Sequence, residues 1–240
     1  ALTFHGAGDI AIANEILAIT KDAKTPITVM AVGNWLSSNP NIGKEILAGG
    51  HELGNHTYSH QAMLHLNYKA ANTEIAKGKE MIIKSVGSGQ KYFRPSGTPK
   101  SNSIIRKAAL ANGYSNCITY DVDTLDYQDP KPSAIISNCM GAIKNGSIVS
   151  LHFGHKNTVT AFPKLIEEIN SAEAILLKNG YEPVFLTLEG AYIETLTVVK
   201  QLNEGIFGVV GNVFSGAWGA VKGLLSTMTE GGSPIGILQF

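Results

Sequence analysis

The sequence predicts an α/β fold, either a (β/α) barrel or a doubly wound parallel sheet. Two observations carry that expectation. Short apolar or β-branched runs alternate with helical patterns at about seven βα units over roughly the first 190 residues. The polar, chemistry-bearing motifs fall where those runs end, and in both architectures ligands bind at the carboxyl ends of the strands. The chain has 240 residues, 44% of them hydrophobic, enough for one large domain with a real core plus an extension.

The elements follow in order. Leu2 to His5 is a short apolar strand end. Ile10 to Ile19 is a helix, with Ile10, Ile16 and Leu17 at helical spacing. Pro26 to Val32 is a β-rich strand. Ile42 to Leu47 is helical and stops at Gly49-Gly50. Glu52 to Asn55 leads into two histidines four apart, His56 and His60, a spacing that puts both on one face of a helical turn. Tyr68 to Val86 is a long helix ended by Gly87-Ser88-Gly89. Tyr92-Phe93-Arg94 is a strand end, Ser103 to Ala111 a helix stopped by Asn112-Gly113, and Cys117 to Asp121 a strand. Ser133 to Ile143 is a helix, Ser147 to His152 a strand, Val159 to Lys178 a helix and Val184 to Leu188 a last strand.

Composition excludes some functions. Lys plus Arg equals Asp plus Glu at 19 each, so the net charge is zero. A nucleic-acid partner is not expected, because phosphate binding needs a basic surface. The chain carries no repeated unit. No signal peptide precedes the first strand, which does not place the protein in the cytoplasm. Cys117 and Cys139 lack CxxC spacing. They are read as two buried thiols or as one disulfide, the latter fitting an exported protein.

Histidines carry the chemistry. His56 and His60 share the spacing of a metal-binding pair, and Val149-Ser150-Leu151-His152 ends in a histidine far downstream. Between them lies Tyr92-Phe93-Arg94-Pro95-Ser96-Gly97-Thr98. Metal, acid and positioning arginine are the parts of a metal-assisted hydrolase.

In order and spacing, these residues resemble a family over residues 1 to about 193. His56-Thr57-Tyr58-Ser59-His60 resembles the H-S/T-x-x-H metal motif of the NodB-type polysaccharide deacetylases, carbohydrate esterase family 4. Arg94-Pro95-Ser96-Gly97 is similar to their R-x-P motif, Asp121 to Tyr127 to the motif ending in Asp-Trp, and Leu151-His152 to the L-x-H motif. Leu2-Thr3-Phe4 resembles the start of T-F-D-D-G. The resemblance implies a distorted (β/α)7 barrel of the NodB type. It also implies a hydrolase that removes N-acetyl, or O-acetyl, groups from a cell-surface or extracellular polysaccharide. A divalent metal, usually zinc, would be held by His56 and His60. His152 would be the general acid, Asp126 its orienting partner, and Arg94 the residue that fixes the base. The backbone N–H near Gly97 would stabilise the oxyanion, and Tyr127 and Leu151 would wall the acetyl pocket.

The first motif departs from that pattern. The chain reads Thr3-Phe4-His5-Gly6-Ala7-Gly8-Asp9, so His5 stands at the base and Gly6 at the metal aspartate. Three readings follow. Asp9 folds back onto the metal on a loop made pliable by Gly6 and Gly8, leaving His5 as base. Alternatively, His5 joins His56 and His60 on the metal and Asp9 is the base. Or the site is degraded and the protein binds glycan without cleaving it. The first is preferred, because Asp-His-His is the family's ligand set. A helix N-cap is the competing role for Asp9. His51 reads as structural or surface, His65 as exposed and His155 as a solvated loop residue. Asp121 and Asp123 are read either as carboxylates that support the site's residues or as ordinary strand-end carboxylates.

Residues 194–240 are read as a separate C-terminal, Gly-rich apolar extension, after a deacetylase domain spanning 1–193. No charged residue occurs between Gly205 and Val221. The stretch 205–225 is near the length that spans a bilayer, but its glycines and Asn212, Ser215 and Lys222 lower its hydrophobicity. It is expected to meet a membrane surface, another subunit or the barrel itself. The rival to the enzyme is a catalytically weak or inactive glycan-binding protein whose tail mediates surface assembly.

Overall fold

The computed structural model describes residues 1–144 and 146–178. The strand expected at Val184 to Leu188 and the extension from 194 lie outside them. Among these residues, five strands form one parallel sheet: β1 (Leu2–Gly6), β2 (Thr28–Ala31), β3 (Glu52–Asn55), β4 (Val122–Asp123) and β5 (Val149–His152). Among the same residues, seven helices accompany them: α1 (Ile10–Asp22), α2 (Gly33–Ser38), α3 (Ile42–Ala48), α4 (Tyr68–Val86), α5 (Ser103–Ala111), α6 (Pro132–Met140) and α7 (Lys156–Lys178). Met63–His65 and Asp126–Gln128 are single 3₁₀ turns.

The strand order is β3-β2-β1-β5-β4. Beyond β3, Asn55 bridges Phe93 and Phe93 bridges Cys117, both in parallel. The chain from Cys117 then runs into β4, which pairs with β5. The ring therefore closes through residues 117–123, as a distorted barrel. The strands expected at Tyr92–Arg94 and Cys117–Asp121 shrink to those single bridges. Pro95 has no N–H to extend the first. The Arg94 guanidinium takes the carbonyls of Ile118 and Thr119 that a longer second strand would use.

Caps explain where the helices begin and end. The Asp9 carboxylate accepts from the Ala11 N–H at 2.8 Å to start α1. Asn67 and Asn102 do the same for α4 and α5. Gly87 ends α4 at φ 82°, a left-handed conformation that glycine adopts without strain.

Strand alternation sorts β1 into two faces. Leu2 and Phe4 enter the main core with Ile16, Leu151, Phe162 and Leu165. Thr3 and His5 face the barrel interior, where both meet Arg94. A second core of Met63, Ile75, Phe93, Ile105, Ala108 and Tyr114 lies under α4 and α5. Cys117 and Cys139 are free thiols, and burial raises the pKa of both, that of Cys139 to about 12. Among the described residues, no helix is long and apolar enough to cross a membrane.

Candidate active site

The site is built on the loop that leaves β3. This loop is not the helical turn that the His56/His60 spacing suggests. Thr57 and His60 both take left-handed backbone, at φ 68° and 59°, so the four-residue spacing is bridged by a tight irregular turn. Asn55 shapes its start: Oδ1 accepts from the Thr57 N–H at 2.9 Å, while Nδ2 donates to the Ile75 carbonyl and the Tyr114 hydroxyl.

The turn brings His60 beside His56, with ring centroids 4.9 Å apart, and His5 of β1 lies 4.4 Å from His56 on its other side. One nitrogen from each of the three lies within 4.8 Å of the others. His56 is fully buried. Its Nδ1 lies 2.9 Å from the Arg94 carbonyl, which can only accept, so Nδ1 carries the hydrogen. Nε2 then presents a bare lone pair, buried and without a partner among the described residues. A buried histidine with one nitrogen anchored to a carbonyl and the other unpaired fits a metal ligand. Three imidazoles are a sound donor set for a divalent ion. Burial is the largest cause holding His5, His56 and His60 below the ordinary histidine pKa, with neighbouring cationic groups adding to it. That favours the neutral rings that ligation requires.

Asp9 does not join this group. It is exposed and spent on the cap of α1. The loop before it is pinned rather than pliable. The Gly8 carbonyl accepts from the Trp35 indole N–H at 2.9 Å, and a Cβ on Gly8 would lie 2.9 Å from the Gly154 Cα. Gly6, at the position of the family's metal aspartate, has no room for a side chain: its Cβ would lie 2.8 Å from Val29 Cγ1 and 3.1 Å from the Ala31 Cα. Of the three first-motif readings, the second has its ligand group, His5 with His56 and His60, brought together, but its base, Asp9, stays on the α1 cap.

Arg94 is fully buried at the barrel centre. It donates to Thr3 Oγ1 at 2.9 Å and to the carbonyls of Ile118 and Thr119, lies 3.2 Å from His5 Nε2, and sits over the Tyr120 ring. Burial lowers its pKa to about 10, which leaves it charged at neutral pH. The partner it was expected to grip is an imidazole here, with no carboxylate among these contacts.

His152 and Asp126 form a dyad. His152 Nδ1 lies 2.7 Å from Asp126 Oδ1, and the His152 N–H and the Thr158 hydroxyl both donate to Oδ2 at 2.8 Å. Asp126 is fully buried, whereas the His152 side chain keeps 20% exposure. Its ring is 4.3 Å from that of His5, and the exposed Tyr127 ring is 5.2 Å away on another side. Leu151 does not line the site. It pairs in register with Phe4 and is buried in the main core, on the opposite face of β5 from His152. The inward residue is Ser150, whose Oγ lies 3.3 Å from His5 Nε2. Counting back two from His152, by strand period, would have found it.

Gly97 is exposed at φ 67°, and a Cβ there would lie 3.1 Å from the Ala62 Cα. Its neighbour Ser96 ties this segment to the histidine loop, accepting from the Thr57 hydroxyl at 3.0 Å and donating to the Gln61 carbonyl. The other histidines are peripheral. His51 is buried against Thr20 and the Ile27 N–H, His65 is exposed, and His155 is 6.2 Å from His152. Asp121 accepts from Ser147 and the Ile148 N–H, and Asp123 from the Leu125 N–H, so both brace the backbone.

Known proteins resemble this chain in sequence and fold. The family model for polysaccharide deacetylase matches residues 1–117. YlxY of Bacillus subtilis is 30% identical over 141 residues, 58% of this chain and 43% of that protein. A peptidoglycan-N-acetylglucosamine deacetylase of Bacillus cereus is 28% identical over 185 residues, 75% of this chain and 83% of that one. Among solved structures, a carbohydrate esterase family 4 pseudoenzyme from Bacillus anthracis superposes with TM-score 0.67 at 26% identity, covering 72% of this chain and 60% of that one. A mutant of that pseudoenzyme with restored enzymatic activity superposes equally well. The chain thus spans less than two thirds of both YlxY and the pseudoenzyme. Over residues 1–117 the chain matches the polysaccharide deacetylase family, and across its described sheet and helices it is similar to carbohydrate esterase family 4 proteins of the NodB type, with a variant first motif.

Proposed function

We propose that this chain is a metal-dependent hydrolase that removes N-acetyl, or O-acetyl, groups from a cell-surface or extracellular polysaccharide. The observation that carries the metal is the buried, unpartnered Nε2 of His56 between His5 and His60. The relative named as a peptidoglycan-N-acetylglucosamine deacetylase supports an amino-sugar polymer as substrate. His5, His56 and His60 hold the ion, with zinc the choice that three imidazoles suit best. A divalent ion held there would supply Lewis-acid polarisation of the acetyl carbonyl and activation of water near neutral pH.

His152, its Nδ1 held by Asp126, turns its other nitrogen to the reacting group and protonates the leaving amine. Asp126 fixes the tautomer and stabilises the ring when it is protonated. Arg94, which can only donate, and Ser150 both meet His5 at Nε2, so His5 would give that lone pair to the ion in exchange for the Arg94 contact. With His5 among the would-be ligands, His152 would be the group, among the described residues of the site, placed to move a proton to or from the reacting group. The backbone N–H near Gly97 supplies an oxyanion donor, and Tyr127 lines the sugar side. Residues 1–193 form the deacetylase domain, and the extension 194–240 serves a membrane or assembly contact.

A second reading has its own support. No carboxylate joins the three-histidine group among the described residues, and a family 4 pseudoenzyme has the same fold. On that reading the chain binds glycan and turns it over weakly or not at all. Acetate release from N-acetylglucosamine oligomers, measured after chelation and again after adding zinc, separates the two. Zinc-restored release, lost in His56→Ala and in His5→Ala, supports the enzyme. Absence of release from folded protein under any divalent metal supports the binding protein.

A further inference from the structure

His60 is the weak point of the three-histidine group. It is exposed, it sits in left-handed backbone, and it closes a turn whose other left-handed residue, Thr57, is β-branched. Such conformations persist only where the surroundings over-determine them. One side chain grips the turn on both sides of His60. Glu74, at mid-length of α4 and 6% exposed, accepts from the Ser59 N–H and the Ser59 hydroxyl, both at 2.8 Å, and from the Gln61 side-chain amide at 3.1 Å. A buried carboxylate in the middle of a helix is costly unless its acceptor sites are filled. Here three donors fill them, and all three come from the residues flanking His60. Charge-assisted bonds of this kind are the strong ones. Two other points of α4 meet the same turn: the Ile75 carbonyl takes the Asn55 amide, and Gly78 lets the Thr57 backbone approach.

We infer that Glu74 is a positioning residue that holds His60 beside His56 and thereby sets the affinity of the three-histidine group for its metal. The inference rests on the metal reading above. Glu74 itself touches neither metal nor substrate.

The test compares wild type with Glu74→Ala, Glu74→Asp and, as control, Glu80→Ala, an exposed glutamate of the same helix paired with Lys84. Alanine favours the helix, so α4 itself is not weakened by the change. Two readouts are taken on the full chain. One is the nuclear Overhauser contact between the His56 and His60 rings in chelated protein. The other is zinc affinity by competition with a chromophoric chelator. The expected result is loss of the ring contact and a ten- to hundredfold weaker zinc affinity in Glu74→Ala, about the effect of removing a ligand's outer partner. Glu74→Asp should recover part of both, and Glu80→Ala should change neither. An unchanged ring contact in Glu74→Ala would overturn the inference, and so would a lost contact with unchanged zinc affinity, since the ion would then order the turn by itself. A wild type with the ring contact but no zinc binding would sink the metal reading and the affinity claim, while loss of the contact in Glu74→Ala would still support the positioning role.

Discussion

Asp126 shows how much of the site rests on single buried atoms. Its two oxygens take the His152 ring, the His152 N–H and the Thr158 hydroxyl, so both sides of the carboxylate are committed. Asp126→Asn replaces one acceptor oxygen with a donor facing donors. Acetate release should fall by roughly 10²- to 10⁴-fold, the usual range for losing acid–base catalysis. Zinc affinity should stay within a few-fold, because His152 is outside the three-histidine group. A parallel collapse of zinc binding would show that the dyad is structural. Ser150 and Leu151 make the complementary point. They are adjacent in sequence but face opposite sides of the sheet, so only Ser150 reaches His5.

At the scale of elements, α4 is both a wall of the second core and the support of the histidine turn. Ala71, Ile75 and Ile82 are its buried apolar residues, and Glu74 and Gly78 are buried with them. Alanine at Gly78 should stabilise an isolated helix by about 1 kcal/mol. In this protein its Cβ would overlap Asn55 Oδ1 and lie 2.8 Å from the Thr57 carbonyl carbon, which belongs to the strained turn and cannot swing away. Gly78→Ala should therefore destabilise the protein by about 1–3 kcal/mol in urea unfolding, the range for overpacking a filled site. A gain in stability would mean that the turn yields more easily than its contacts suggest.

At the scale of the molecule, a barrel centre filled with imidazoles makes folding sensitive to acid. Burial holds His5, His56 and His51 below the usual histidine pKa, so in acid the unfolded chain takes up protons that the folded chain refuses. Their contribution is fully present above about pH 6.5 and is lost as pH falls toward the depressed folded values. The chelated protein should lose stability from pH 7 to pH 5, by up to about 1.4 kcal/mol per pH unit for each such histidine, read as a falling melting temperature. The rise in melting temperature produced by saturating zinc should also shrink over the same range, because protonated rings cannot ligate. A flat profile for both would show that these rings titrate normally in the folded state.

Sequence pattern alone determined most of the elements, but not α2, β4 or the two expected strands that shrink to single bridges. Local signals place α4 at Tyr68–Val86 and α5 at Ser103–Ala111, because asparagine caps, helical periodicity and terminal Gly87 or Asn112 act within one turn of the chain. His56, His60, Arg94, Asp126 and His152 were legible through the family's motifs, which lie in or just after the strand ends. Tertiary structure decided which of them meet. Asp9 is claimed by the N-terminus of α1, its loop is held by Trp35 and Gly154, and no count along the chain reveals either contact. His5 reaches His56 and His60 only because β1 lies next to β2, β2 next to β3, and the barrel turns their carboxyl ends inward. The turn at His56–His60 follows α4 rather than its own helical spacing, since Glu74 and Asn55 bind its backbone more tightly than a lone helical turn could bind itself.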